Sequence, residues 1–220
     1  MSKRTVKDLS QTYENGMPHA PTIPAPTIRQ VKSVESDGYS VTELSVATHI
    51  GTHIDAPSHL LADGSTIDAL PPEALIRPAT VASLPMDGRR EIDAADLEAS
   101  EAGTADPGDA LLLRTGWGAK FGTPEYRDHP HLTESAARWI VDRGFDLVGL
   151  DLTTPEVPGH LRPAGFDFPV HRILLGNGVL IMEHLFLEEV AGQRVELFVG
   201  ALKVAGGDGA PARVLAVLER

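Results

Sequence analysis

Short apolar runs alternate with turn residues along most of the chain. Such runs, when Gly, Pro, Asn or Asp bound them, are typical of β-strands. The dipeptide Asp37-Gly38 separates two strand-like runs, 31–36 and 39–47, as in a β-hairpin. The other predicted strands are 80–84, Ala110–Arg114, Leu147–Leu150, 179–182, 195–204 and 213–218.

Two segments have the spacing of an amphipathic helix instead. The first is 94–100, with Asp93 as its N-cap, and the second is 134–143, between Thr133 as N-cap and Gly144 as the residue that ends it. The second helix places on one stripe Ala136, Ala137, Ile140 and Val141. Because strands outnumber helices but alternate with them, the pattern predicts an α/β fold with a mixed sheet and few helices.

The segment 49–59, HIGTHIDAPSH, has its histidines and its aspartate at odd positions only. These residues are His49, His53, Asp55 and His59. Side chains of an extended chain alternate between two faces. The polar residues therefore share one face, while Ile50 and Ile54 point to the other. We predict that the polar face binds a ligand and that the apolar face packs.

A helix is the competing geometry for this segment, since His49 and His53 are four residues apart. Pro57 would remove a backbone donor from such a helix, and Gly51 lowers the helix propensity. On a straight strand, however, the two imidazoles would stand about 13 Å apart, too far for two ligands that must each reach a metal at about 2.1 Å. The chain is therefore predicted to be extended and to bend near Gly51.

Two imidazoles and a carboxylate are ligands that suit zinc, manganese or iron and leave coordination positions open for water and substrate. The chain has no cysteine. A structural zinc site built from thiolates is therefore excluded, and an open, catalytic type of metal site is favoured. The alternative interpretation is that these histidines lie on a polar surface or cap turns.

The residues of this segment resemble the signature of the metal-dependent cyclase-type hydrolases, a family that includes bacterial kynurenine formamidase and isatin hydrolase. The signature reads His-x-Gly-Thr-His-x-Asp-x-Pro-x-His, and 49–59 matches every fixed position. The segments 6–18, 110–117 and 145–151 also resemble the family, so the resemblance covers nearly the whole chain. It implies a swivelling β/β/α arrangement, which the predicted order of elements allows.

The resemblance also implies a second group of ligands, because family members carry a histidine followed twelve residues later by the glutamate of a Glu-x-Leu pattern. Here that pattern falls on His171 and Glu183. The family's arrangement assigns His49, His53 and Asp55 to one ion, with Asp55 bridging to a second ion held by His171 and Glu183. One or two divalent ions, zinc or manganese, are expected.

The resemblance implies a different role for His59, which is similar to the catalytic proton shuttle of the family. Amide cleavage requires protonation of the departing nitrogen. A histidine that titrates near neutral pH can take a proton from water and return it to the leaving group. The alternative interpretation is a histidine that orients a metal ligand.

Two further positions are candidates for substrate binding. Ala20 falls where kynurenine formamidases carry an aromatic residue that stacks against the substrate ring. Trp117 follows a predicted strand and a turn at Gly116, where an aromatic side chain either lines a substrate pocket or packs in the core.

Together these features predict a metal-dependent hydrolase that uses metal-activated water to cleave a C–N bond of a small aromatic substrate, which is an amide, a formamide or a cyclic amide. One alternative is a cyclase or dehydratase that acts on a secondary-metabolite (polyketide) intermediate. A second alternative, from a different class, is a metal-binding protein without turnover.

Three further histidines and a glycine-rich segment are weaker candidates. His160 is expected on a surface loop, with a loop ligand or a gate residue as the alternative. His129 and His131, on either side of a proline, are expected in a turn. Gly206, Gly207 and Gly209 precede a predicted strand rather than a helix, and no Lys-Ser/Thr pair follows them. They therefore predict a hairpin turn rather than a phosphate-binding loop.

The chain has 220 residues and a formal net charge of −12, without a basic cluster. This length fits one domain, 1–220, and the charge argues against nucleic acid or an anionic membrane as a partner. The first ten residues lack the apolar core of a signal peptide, and no apolar run approaches the roughly 20 residues of a membrane span. We therefore expect a cytoplasmic enzyme with a small-molecule substrate.

The expected assembly is a homodimer or a larger homo-oligomer. The resemblance implies this, because members of the family are oligomeric. Short, β-rich chains also leave sheet edges that need cover.

Overall fold

In the computed structural model, which describes residues 4–106 and 108–219, eight strands form one sheet and four further strands form two small pairs. In chain order, the strands are β1 (Arg4–Asp8), β2 (Thr27–Lys32), β3 (Val41–Ser45), β4 (His53–Asp55), β5 (Ile76–Ser83), β6 (Glu91–Ile92), β7 (Ala110–Arg114), β8 (His131–Leu132), β9 (Leu147–Leu150), β10 (Leu180–Glu183), β11 (Arg194–Ala201) and β12 (Gly209–Glu219). The helices of the described residues are α1 (Val34–Asp37), α2 (Ala94–Glu98), α3 (Glu134–Asp142) and α4 (Pro169–Gly176).

The three-residue strand β4 closes the large sheet, because it pairs with β10 and also with β12. The strands follow the order β1-β12-β11-β5-β7-β9-β10-β4. The strands β5, β7, β9 and β10 run parallel to one another, and the remaining neighbours are antiparallel. This barrel-like mixed sheet confirms the predicted α/β class.

The central strands are buried on both faces. In β7, Ala110 and Leu112 belong to the core inside the closed sheet, whereas Leu111 and Leu113 belong to the core under α2, α3 and α4. A strand covered on both sides needs apolar residues at every position. The continuous run ALLL is a consequence of this double burial.

Both predicted helices are confirmed, together with their caps. Asp93 accepts hydrogen bonds from the Ala95 and Asp96 backbone N atoms at the start of α2, and Thr133 accepts one from the Ala136 backbone N at the start of α3. Each helix ends one or two residues before the predicted boundary. Across residues 4–106 and 108–219, no helix combines the length and the apolar character needed to cross a bilayer.

The predicted hairpin exists, but the boundaries 31–36 and 39–47 are wrong. The strands that pair are β2 and β3. Between them, Ser33 accepts a hydrogen bond from the Ser36 backbone N, and Asp37 accepts one from the Ser33 backbone N. These local side-chain bonds favour a helical turn over a strand, so residues 34–37 form α1 and Gly38 follows with a φ of 77°.

Candidate metal centre and active site

The strand β4 places two candidate ligands on one face of the sheet. Ile54 packs in the core inside the closed sheet, so His53 and Asp55 point to the opposite face, as strand alternation predicts. On the neighbouring strand, Glu183 is the register partner of His53. All three side chains therefore meet on the outer face of the sheet, where α4 contacts β10.

Gly51 forms the bend that brings His49 next to His53. Its φ of 58° lies in the left-handed region, which glycine adopts without steric cost. A Cβ at this position would lie 2.6 Å from the Met17 Cε atom. The ring centroids of His49 and His53 are 5.2 Å apart, far less than a straight strand would allow, so the predicted bend is confirmed.

His53 directs one ring nitrogen into the centre of the site. Its Nδ1 lies 2.7 Å from the Gly51 carbonyl oxygen. A carbonyl only accepts, so Nδ1 carries a proton and Nε2 carries the lone pair of the neutral ring. Nε2 is buried and has no hydrogen-bond partner within the described part of the chain, although Asp55 Oδ1 and Glu183 Oε2 lie 3.3 and 3.4 Å away. A buried polar atom in this state calls for a ligand.

His171 enters from α4 with the same arrangement. Its Nδ1 lies 2.9 Å from Glu156 Oε1, which also accepts a hydrogen bond from the His171 backbone N. The other nitrogen, Nε2, lies 3.3 Å from Glu183 Oε1 and 3.7 Å from Asp55 Oδ2. Glu156 thus orients the ring so that Nε2 faces the two carboxylates.

His49 completes the set of inward-facing imidazoles. Its Nδ1 lies 2.7 Å from Asp55 Oδ1, and its Nε2 lies 2.9 Å from Asp208 Oδ2. Each of the three histidines therefore has one nitrogen beside an acceptor outside the centre and the other beside an inner carboxylate. Outer acceptors of this kind orient histidine ligands in metal sites.

The side chains of this centre form three groups in which the ligand atoms lie within 4.8 Å of one another. They are His49, Asp55 and His59; His53, Glu183 and His184; and Asp55, His171 and Glu183. Imidazole nitrogens and carboxylate oxygens are ligands that zinc and manganese accept. The residues therefore fit one ion or two, with Asp55 between them.

The electrostatics of the site favour positive charge at its centre. Burial disfavours the imidazolium form, but the carboxylates of Asp55 and Asp208 outweigh burial and raise the pKa of His49 to about 9. At His171, the carboxylates of Glu156 and Glu183 likewise outweigh burial and raise the pKa to about 10. Carboxylates that hold protons on buried imidazoles also attract a cation in place of those protons.

His59 lies at the edge of this centre, where its ligand atom is within 4.8 Å of those of His49 and Asp55. It ends a short 3-10 turn, Pro57–His59, and its ring centroid is 3.9 Å from that of His49 and 6.0 Å from that of His171. Burial lowers its pKa from the ordinary value of 6.5. An imidazole in this position is neutral at neutral pH and can accept a proton.

The candidate centre opens into a cavity of about 660 Å³. Its wall includes Ala20, His59 and Phe168. Trp117 lies elsewhere: it is 3% exposed, packs in the core under the helices and donates a hydrogen bond from Nε1 to the Tyr126 carbonyl oxygen. Of the two candidates for substrate binding, the structure brings only Ala20 to this cavity.

Four histidines that sequence analysis did not assign to the site also line this cavity: His19, His129, His160 and His184. The turn expected at His129 and His131 is wrong, because His131 belongs to β8. His129 is buried, and its Nδ1 lies 2.7 Å from the Pro130 carbonyl oxygen. His184 is buried next to Glu183 with a φ of 58°, and its Nδ1 lies 2.9 Å from the Tyr126 hydroxyl. Sequence analysis found Glu183 through the resemblance, whereas nothing in the sequence marked His184, which follows the end of β10.

A comparison with protein families bears directly on this site. A family model described as "Putative cyclase" matches residues 7–157. The chain belongs to this family. The match includes the whole segment 49–59, and it confirms the resemblance found in the sequence. His171 and Glu183 lie beyond the matched residues. Their assignment to the site therefore comes from the distances in the structure and not from the family match.

Several proteins similar to this member of the putative cyclase family are known. A kynurenine formamidase from Bacillus cereus is 31% identical over 185 residues, which cover 82% of this chain and 81% of that protein. A structure described as a potential metal-dependent hydrolase with cyclase activity superposes with a TM-score of 0.79 at 28% identity, over 99% of both chains. An isatin hydrolase bound to the product analogue thioisatinate shares the fold, with a TM-score of 0.88 at 22% identity over 99% of this chain and 93% of that chain.

Proposed function

We propose that this protein is a metal-dependent hydrolase that cleaves the C–N bond of a small aromatic amide, formamide or cyclic amide. The observation that carries the proposal is the buried Nε2 of His53, which lacks a hydrogen-bond partner among the described residues and faces two carboxylates. The similarity to kynurenine formamidase supports the class of reaction. The similarity to a potential metal-dependent hydrolase supports the need for a metal.

His49, His53 and Asp55 would hold one divalent ion, and Asp55, His171 and Glu183 would hold a second. A divalent ion bound there supplies Lewis-acid chemistry, which lowers the pKa of water to about 7 and polarises a carbonyl oxygen. Zinc and manganese are the candidate metals. The carboxylates of Asp55 and Glu183 would bind the ion, and Gly51 and Glu156 orient the imidazoles of His53 and His171 towards it.

His59 would carry the proton during the reaction. Its neutral ring takes a proton from water as the water oxygen bonds to the carbonyl carbon, and it returns that proton to the nitrogen as the C–N bond breaks. The position of His59 in the cavity wall beside His49 supports this role.

The cavity supports a substrate of aromatic size. Its volume is within the range of small-molecule sites. Ala20 leaves space in the wall, and Phe168 offers an aromatic surface next to His171, with ring centroids 6.0 Å apart. The carboxylate-rich centre lies at one side of this cavity, so a substrate that stacks on the wall can place its amide at the centre.

Metal analysis and a substrate panel test the proposal together. Protein purified without chelator should contain one or two divalent ions per chain, and it should hydrolyse N-formylkynurenine or isatin faster than simple lactones. Chelation should abolish the activity, and added zinc or manganese should restore it. Full activity in metal-free protein would refute the proposal, and tight metal binding without turnover of any amide would favour a non-catalytic metal-binding protein.

The assembly that we propose is a homodimer or a larger homo-oligomer, with residues 1–220 as one domain in each copy. The β2–β3 hairpin supports this, since all residues of β3 are exposed and a two-stranded sheet is at best marginally stable alone. Val34 and Leu44 on this hairpin are large, exposed apolar residues, and a second copy would cover them. Light scattering at micromolar concentration tests this, and a monomer would contradict it. A cytoplasmic location stays a prediction.

A further inference from the structure

The loop before β12 is a part of the molecule that the proposed function does not use. Residues 206–209 read Gly-Gly-Asp-Gly, for which the sequence predicts a hairpin turn. In the structure this loop lies against β4. The Ala56 backbone N donates to the Asp208 carbonyl oxygen at 2.9 Å, and Gly209 is the register partner of Asp55. The loop therefore reaches the candidate metal centre.

Two glycines permit this close approach. Gly206 has a φ of 66°, which a side chain would strain. A Cβ on Gly209 would lie 2.8 Å from the Ile54 carbonyl oxygen and 2.9 Å from His49 Cε1. The backbone at 209 thus passes directly beside His49, and this path fixes the position of Asp208.

The Asp208 carboxylate divides its two oxygens between different partners. Oδ1 accepts a hydrogen bond from the Thr48 hydroxyl at 2.9 Å. Oδ2 lies 2.9 Å from His49 Nε2 and 3.5 Å from His59 Nδ1. One oxygen is therefore anchored by a neighbouring loop residue, while the other faces a proposed ligand and the proposed proton carrier together.

A carboxylate oxygen only accepts, so a ring nitrogen that bonds to Oδ2 carries a proton. His49 Nε2 makes this contact at 2.9 Å, whereas His59 Nδ1 approaches Oδ2 to 3.5 Å without a hydrogen bond. A proton on His59 Nδ1, directed at Oδ2, would leave Nε2 free to exchange a proton. Hydrogen bonds of catalytic groups that are long in the free enzyme tighten when substrate binds, which suits the separation of 3.5 Å at His59.

We propose that Asp208 is a positioning residue of the reaction, which holds His59 in the orientation that leaves its Nε2 free. This inference rests on the proposed function, in which His59 carries the proton. The proton that water loses as the C–O bond forms moves to His59 Nε2, and it leaves for the nitrogen as the C–N bond breaks. The proton on Nδ1 stays in place, and Asp208 keeps its negative charge.

The first test is kinetic, with Asp208→Ala and Asp208→Asn measured at saturating zinc. Loss of an outer hydrogen-bond partner typically costs about 10- to 100-fold in activity, and we expect this loss in kcat with KM unchanged. Asp63→Asn is the matched control, because it removes the same charge from an exposed position and should keep wild-type kcat. Unchanged kcat in both Asp208 variants would overturn the proposal.

A double variant separates positioning of His59 from a purely structural effect. If Asp208 acts through His59, then His59→Ala with Asp208→Ala should be no slower than His59→Ala alone, because residues that act as a unit are not additive. If Asp208→Ala lowers kcat in the His59→Ala background by the same factor as in the wild type, then Asp208 acts elsewhere, for example only through His49. A variant Thr48→Val, which removes the donor to Oδ1, should reduce kcat in part, and Thr48→Ser should restore it.

The third measurement requires no substrate. The ¹⁵N chemical shifts of labelled histidine report which ring nitrogen carries the proton, and the His59 signals are assigned by their absence in His59→Ala. At mildly alkaline pH, His59 of the wild type should be protonated on Nδ1, both with zinc and after chelation, and Asp208→Ala should shift the proton towards Nε2. The same tautomer in both proteins would overturn the proposal. If the wild type hydrolyses no amide, the proposed function fails, whereas this measurement still decides whether Asp208 orients His59.

Discussion

At the level of single residues, Asp55 belongs to two of the groups of ligand atoms in the candidate metal centre. Its Oδ1 faces His49 and His53, and its Oδ2 faces His171. Asp55→Ala should therefore release more metal than any single histidine substitution, because a carboxylate between two ions serves both. Elemental analysis after dialysis measures the metal per chain, and equal losses from Asp55→Ala and His53→Ala would argue against a bridging position.

His59 gives a contrasting prediction at the same scale. His59→Ala should retain the metal and lose about 10²- to 10⁴-fold in kcat, because general acid-base catalysis lowers the barrier without holding the ion. The loss should shrink for substrates with better leaving groups, which need less protonation. His131→Gln, outside the cavity lining, is the control. Metal loss as steep as in His53→Ala would make His59 a ligand instead.

The stability of the protein should depend on pH through His129. Burial lowers its pKa from 6.5 to about 4 in the folded chain. Between these values the unfolded chain binds the proton and the folded chain does not, so the free energy of unfolding falls as the pH is lowered from about 6.5 to 4, by at most roughly 3 kcal/mol from this residue. Urea unfolding in the presence of chelator at pH 7 and pH 5 measures this loss.

The matched variant for this prediction is His129→Gln, which does not titrate in this range. It should lose less stability than the wild type between the two pH values. Other buried histidines contribute equally in both proteins and in opposite directions, because the pKa of His184 is held below its usual value and those of His49 and His171 above it. The test is therefore the difference between variant and wild type. An identical loss in variant and wild type would show that His129 does not contribute.

The residues that a sequence can reveal are those whose partners are close in the chain. His49, His53 and Asp55 fall within seven positions and share a face, so strand alternation alone groups them. Asp208 contacts His49 across 159 positions, and Glu156 contacts His171 across 15. Their roles depend on which loops the fold brings together, and no local pattern of apolar and polar residues encodes that.

At the level of elements, the bend before β4 should tolerate no side chain. Gly51→Ala would strain a left-handed residue and press a methyl group against Met17, at a cost of about 1–3 kcal/mol in the free energy of unfolding. It should also weaken metal binding by moving His49. Gly88→Ala is the control, because no described atom lies within 4 Å of its added Cβ. Calorimetric unfolding compares the two, and equal stability would show that the bend is not strained.

Elements buried on both faces were easier to predict than exposed ones. The strands β7 and β9 have the predicted bounds, because every position needs an apolar residue. The β2–β3 hairpin does not have its predicted bounds, because its residues face solvent and need no alternation of apolar and polar side chains. Between its strands, the side-chain hydrogen bonds of Ser33 and Asp37 favour the helical turn α1.

For the molecule as a whole, the proposed metal joins the closed sheet to α4. Asp55 and Glu183 belong to the sheet and His171 to the helix, so an ion held by all three would stabilise the folded state. At zinc concentrations 100-fold above the Kd, the gain is about 2.7 kcal/mol, or roughly 5 to 11 °C in Tm for a chain of this size. His171→Ala should reduce this gain in thermal scans with and without zinc. A wild-type Tm that zinc leaves unchanged would contradict the proposed site.

The double pairing of β4 has a consequence for the timing of biosynthesis. This strand of three residues carries two proposed ligands and lies between β10 and β12, which the ribosome makes more than 120 positions later. Chains emerge from the N-terminus onward. His53 must therefore wait for Glu183, its partner on β10, until that strand has been made. The proposed metal would consequently bind only after β10 and β12 have emerged and the barrel closes around β4.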